Sequence, residues 1–176
     1  MNFTLEKTLE ILERTPDVLE TLLQNISTNW TSANEGDETW NVFNVVEHLI
    51  YGEKTDWIPR LEIILSKSAD KTFESFDRFT QFEENNMKSL SQLLKEFKTL
   101  RKKNIEHLLA KKISTSHLSE TGIHPAFGEV TLLQLLSTWA VHDLNHIAQI
   151  SRIIANHYKK EVGPWVAYLG ILKKRN

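Results

Sequence analysis

The stretch Val130–Tyr158, VTLLQLLSTWAVHDLNHIAQISRIIANHY, decides the fold of this chain. Leu132, Leu135, Leu136, Trp139, Ile147, Ile150, Ile153 and Ile154 recur at intervals of three and four residues. That is the period of a helix with one face turned to a core. Thr131, or a residue just before it, stands where a cap belongs, and Gly163-Pro164 bars continuation past the end. Two histidines interrupt the apolar stripe at its own spacing: Leu135, Trp139, His142, His146, Ile150, Ile153. Residues four apart project from one helix face about one turn apart, so both imidazoles are expected to point inward.

Three more segments share this period. The first carries Leu5, Leu9, Leu12, Leu19, Leu23 and Ile26. Thr15-Pro16-Asp17 should break or kink it, because proline lacks the N–H of the helix ladder and crowds the preceding turn. Ser27 to Glu38 is polar, contains Gly36 and reads as a loop. Thr39 or Asn41 is the candidate cap of the second segment, with Val42, Val45, Val46, Leu49, then Leu61, Ile64 and Leu65 on its apolar face. Pro59 should kink it or end its first half near Trp57-Ile58. A connection follows over Ser66 to Thr80, with a short extended piece expected at Thr72 to Phe79. The third segment is expected from about Glu83 to Lys111, on Met87, Leu90, Leu94, Phe97, Ile105 and Leu108. Its lysines (Lys88, Lys95, Lys98, Lys102, Lys103) read as a solvated face.

Ile113 to Glu129 reads as another long connection, and Trp165 to Leu172 as a short C-terminal segment packed back on the body. Four long amphipathic segments with almost no strand alternation predict one all-α domain over 1–176, a four-helix bundle. Its long connections leave a crossover topology as open as simple up-down order.

Composition narrows the function. The chain has no cysteine, so a metal would be held by His, Asp or Glu. With 21 basic and 23 acidic residues it lacks the basic face that nucleic acid requires. No apolar run approaches the ~20 residues of a membrane span. Acidic Glu6 stands where a signal peptide carries base. A cytoplasmic protein acting on a small molecule, with no nucleic-acid or membrane partner, is the expectation.

A third inward histidine, His48, lies between Val45 and Leu49 on the second segment. Two readings of His48, His142 and His146 stay open. Each imidazole could hydrogen-bond a neighbouring helix within the core. Alternatively, all three could meet on a divalent cation, zinc, nickel or iron, as bundles build metal sites from facing helices. No fourth protein ligand is evident, and an open position marks a catalytic site.

Asp143 stands where the His-Glu-x-x-His zincin motif has its base. It is one methylene shorter and lies about 100° around the helix from His142, so a surface or supporting role is expected instead. His157 lies about 16 Å further along the axis than His146, too far to share an ion. His107 and His117 read as exposed, and His124 as a loop residue able to approach the site. Gly52, one turn past His48, fits either close helix packing or room for a substrate.

Trp40-x7-His48-Leu49-x3-Glu53, Phe127-Gly128-Glu129-Val130-Thr131-Leu132, Trp139-x2-His142-x3-His146 and Val162-Gly163-Pro164-Trp165 together resemble the DinB/YfiT-like superfamily. The resemblance spans most of the chain. It implies a four-helix bundle of variant topology and a divalent metal, usually zinc or nickel, on His48, His142 and His146. It further implies either transfer chemistry with a low-molecular-weight thiol such as bacillithiol or mycothiol, or metal-dependent hydrolysis. Homodimers are common in such proteins.

Overall fold

The computed structural model describes residues 3–36, 39–75 and 88–173. Helix α1 (Leu5–Leu23) starts at Thr4, whose hydroxyl accepts from the Lys7 N–H. A single turn, α2 (Thr28–Thr31), follows. Helix α3 (Val42–Thr55) opens on a reciprocal cap: the Asn44 N–H donates to Asn41 Oδ1 at 3.0 Å and the Asn41 N–H to Asn44 Oδ1 at 3.1 Å. Helix α4 (Trp57–Leu65) continues it after a break at Asp56. Pro59 causes that break. It cannot donate to the carbonyl four residues back, and its ring crowds the turn that ends α3.

Helix α5 (Leu90–Ala110) begins later than its apolar period suggests, because Ser89 and Gln92 form a capping box there. The expected turns over 83–87 lie outside the described residues. Helix α6 (Leu132–Asn156) is capped in the same way by Thr131 and Gln134, and ends before Gly163-Pro164.

Two expectations need correction. Helix α1 runs uninterrupted through Pro16. The carbonyl that Pro16 cannot serve, that of Leu12, instead accepts from Arg101 Nη1 at 2.9 Å. The connection Ile113–Glu129 is not plain loop. It holds a 3-10 turn (Thr115–Ser119) and an antiparallel hairpin of β1 (Thr121–His124) and β2 (Gly128–Thr131), with Gly122 opposite Val130. Thr72 adds a bridge to Ile123, the described part of the expected extended piece; 76–79 lie outside the described residues. The C-terminal segment forms two 3-10 turns and is anchored by buried Leu172, whereas Trp165 and Tyr168 stand out in solvent.

Helices α1 and α3 each pack chiefly against both α5 and α6. The successive pairs α1/α3 and α5/α6 therefore occupy opposite corners of the bundle, whereas α3 and α5 are neighbours. Two apolar clusters fill the interior. One gathers Leu12, Trp57, Leu61, Leu108, Leu136 and Trp139; the other gathers Leu19, Val45, Val46, Phe97, Ile150 and Ile153. A polar layer separates them. On the main helices it lies between the two apolar sets, at Glu53 on α3, Arg101 on α5 and Asp143 on α6, and on α1 it meets the Leu12 carbonyl that Pro16 leaves without a helix donor. Among the described residues, no helix is long and apolar enough to cross a membrane.

Candidate metal centre

His48 on α3 and His142 and His146 on α6 meet beside this layer. Nε2 of His142 lies 3.0 Å from Nε2 of His48 and 3.1 Å from Nε2 of His146. All three offer a ligand atom within 4.8 Å of the others. An ion held at ~2.1 Å by imidazoles in tetrahedral geometry sets neighbouring nitrogens about 3.4 Å apart, so the present spacing needs only a slight opening. Gln149 Oε1, 2.8 Å from His146 Nδ1, accepts a hydrogen bond from the Nδ1–H, which leaves the Nε2 lone pair facing the other rings. Nδ1 of His142 is buried and meets no partner among the described residues.

Burial, helped by the neighbouring imidazoles and by Arg101, pushes His142 down to about 2 from 6.5. Burial also lowers His146, against the opposing pull of Gln149 and Asp143. Both rings are therefore neutral at physiological pH, the state that a metal requires of histidine. Trp40 lies 4.9 Å from the His48 ring, and Trp57 meets His142 edge-on at 5.1 Å. Three imidazole nitrogens in an aromatic shell form a donor set suited to zinc, nickel or ferrous iron. Among the described residues this is the one group of its kind, and it holds no fourth protein ligand.

The triad opens into a cavity of about 810 Å³, within the range of small-molecule sites. Its walls include Trp57, Gly52, Arg60, Phe73, Leu135 and the hairpin tip His124 to Phe127. Gly52 lines the cavity, and a Cβ there would lie 3.3 Å from the Trp57 indole nitrogen, the close packing that a glycine permits. His124 lines the cavity as well, stacked on Phe127 at 4.4 Å. The remaining histidines lie elsewhere. His107 is exposed and paired with Glu62, His117 caps the 3-10 turn, and His157 ends α6.

Asp143 is not a surface residue; it is fully buried. Its two oxygens accept from Arg101 Nη1 at 2.5 Å and Nη2 at 2.9 Å. Arg101 Nη2 also donates to Glu53 Oε1 at 2.8 Å. Glu53 further accepts from Trp139 Nε1 at 3.0 Å and Asn104 Nδ2 at 3.0 Å. Burial still pushes the Glu53 carboxyl up. The guanidinium carbon lies 4.9 Å from the Phe97 ring centroid and 5.3 Å from that of Trp139. In the sequence Arg101 is masked by the lysines around it. Its signal is nonetheless present: Phe97, Arg101, Ile105 and Leu108 keep the buried period, as Leu49 and Glu53 do on α3.

A model of the DinB superfamily matches residues 11–150. The chain belongs to the DinB superfamily. Among solved structures it is similar to YfiT from Bacillus subtilis, described as "a probable metal-dependent hydrolase with an unusual four-helix bundle topology". The two share 18% identity and a TM-score of 0.71 over 92% of this chain and 91% of that one. It is also similar to TT2238, "a four-helix bundle protein", with 22% identity and a TM-score of 0.56 over 84% of this chain and 98% of that one. At such identities these likenesses establish the fold alone. Comparison with curated proteins gives no match.

Proposed function

We propose that this DinB-superfamily protein is a metal-dependent enzyme acting on a small molecule, with His48, His142 and His146 as ligands of one divalent ion. The observation that carries the reading is the convergence of three Nε2 atoms at the wall of a cavity of about 810 Å³. A zinc, nickel or ferrous ion would supply Lewis acidity there, bringing the proton affinity of a thiol or water nucleophile toward neutrality. The reaction class is thiol transfer or hydrolysis, and the description of YfiT as a probable metal-dependent hydrolase supports the second arm.

The chain's own residues have definable roles. His146 is oriented by Gln149, and Trp40 and Trp57 screen the imidazoles. The apolar cavity wall limits the water that reaches the reacting end.

The test begins with metal analysis of protein purified without a nickel column and reconstituted with zinc, nickel or iron. Stoichiometric metal in wild type and its loss in His142→Ala are expected. Equal metal in both proteins refutes the ligand set. A screen of thiol conjugation and of ester and amide hydrolysis, with and without chelator, then assigns the reaction. Stoichiometric metal with no chelator-sensitive turnover would point to a metal-stabilised binding module instead.

A further inference from the structure

The proposed centre occupies one part of the cavity wall. In another stands Arg60, the single cationic side chain of that wall among the described residues. Arg60 lies in the first turn of α4, three residues after Trp57, and so on the same helix face. Trp57 meets His142, so Arg60 follows one helical turn further on, roughly 5 Å along the axis. Its Nε is paired with Asp56 Oδ1 at 2.6 Å, and both side chains are mostly buried, 11% and 13% exposed. The guanidinium carbon sits 5.3 Å from the Phe73 ring centroid. The closest approach of Asp56 is to Nε. Neither Nη has an acceptor among the described residues, and neither is sealed in the protein interior. Two parallel N–H donors in a fixed fork are thus presented to the cavity.

That fork matches a planar carboxylate, which accepts two parallel hydrogen bonds from guanidinium. The rest of the cavity wall is compatible with such a guest. Among the described residues Asp56 is its one acid, and Phe73, Trp57, Leu135 and Val130 would flank an apolar body. A dianionic phosphoryl group fits less well, since one guanidinium would have to offset it close to Asp56. We propose that Arg60 anchors the carboxylate of a small substrate whose reacting end lies at His48, His142 and His146. The second half of that statement rests on the function proposed above; the anchor itself does not.

The probes are 3-phenylpropionate and its neutral counterpart 3-phenylpropan-1-ol, titrated into metal-loaded and into chelator-treated protein while tryptophan fluorescence is read. Trp40 and Trp57 line the cavity and report its occupancy. The acid should bind about tenfold or more tightly than the alcohol, in both forms of the protein, and Arg60→Gln should abolish the preference. Metal content and helical circular dichroism of Arg60→Gln should match wild type. Asp56→Asn separates anchoring from a merely structural pair. It removes the partner of Arg60 yet leaves the Nη fork, so the acid preference should persist or grow. Equal binding of acid and alcohol overturns the proposal, as does no binding of the acid, or a preference that survives Arg60→Gln. A preference present only with metal, and indifferent to Arg60→Gln, would overturn it too, since the carboxylate would then bind the ion. Failure of the metal centre alone would leave the result in chelator-treated protein unchanged.

Discussion

Replacing Arg101 by methionine should bring this protein close to unfolding at neutral pH. The guanidinium is 1% exposed and meets Glu53 and Asp143, whose side chains are both 0% exposed. Methionine keeps the length and the contact with Phe97 and Trp139, but leaves two buried carboxylates with no counter-charge. Removing one partner of a buried ion pair costs about 3–5 kcal/mol. The Leu12 carbonyl also loses its donor, and an orphaned buried acceptor adds about 1–3 kcal/mol. The sum is comparable with the roughly 5–15 kcal/mol that holds a typical domain together.

The pH dependence carries a definite sign. Burial already holds the Glu53 carboxyl above its unfolded value of about 4, and losing the opposing charge of Arg101 raises it further. The folded mutant then binds more protons than its unfolded chain above that pH, so its stability falls as pH rises and recovers on acidification. Histidine protonation destabilises mutant and wild type alike, so the quantity to follow is their difference. Urea unfolding, monitored by tryptophan fluorescence, should show a gap that is largest near pH ~8 and narrows toward pH ~5.5. Pro16→Ala supplies the missing helix donor to Leu12. In a double-mutant cycle it should recover about 1 kcal/mol of the Arg101→Met loss. A loss below about 1 kcal/mol at the alkaline end, or a gap indifferent to pH, would refute a charge-paired polar layer.

Two further substitutions probe the centre and its wall. Gln149→Leu takes the acceptor from His146 Nδ1, and competition with a chromophoric chelator should show metal affinity lowered by about 10–100-fold. Gly122→Ala places a Cβ in severe overlap with the Phe73 ring and 3.1 Å from Ile64 Cγ1, so the hairpin or the buried ring must shift. A loss of about 1–3 kcal/mol in urea unfolding is expected, and a neutral result would mean that Phe73 moves freely.

The bundle was legible because its signal is periodic and long. Three of its four main helices keep their apolar spacing over 19 residues or more, and Asn41 and Thr131 cap where their side chains allow. The histidines were legible for the same reason, as polar residues occurring on an apolar period. The hairpin was not. Its strands are four residues each, and partly exposed Thr121, Ile123 and Val130 give no clean alternation. The fate of Pro16 was not legible either. What keeps α1 intact is a donor 89 residues further along the chain. Local rules count the hydrogen bond that proline loses and contain no term for a side chain that replaces it.

Arg101 also explains what brings three imidazoles on two helices into one register. From α5 it bonds the Leu12 carbonyl on α1, Glu53 on α3 and Asp143 on α6, so one guanidinium touches all four main helices. Asp143 is the chain neighbour of His142, and Glu53 follows His48 by little more than one turn of α3. Rotating or sliding α3 against α6 enough to separate the Nε2 atoms would strip a buried charge of its partners, at a cost of about 3–5 kcal/mol. The register that pairs the charges is therefore the register that converges the histidines. Zincin-like spacing drew attention to Asp143 as a possible base. Its place in the fold gives it a different role, since it holds α6 so that His142 and His146 both face His48.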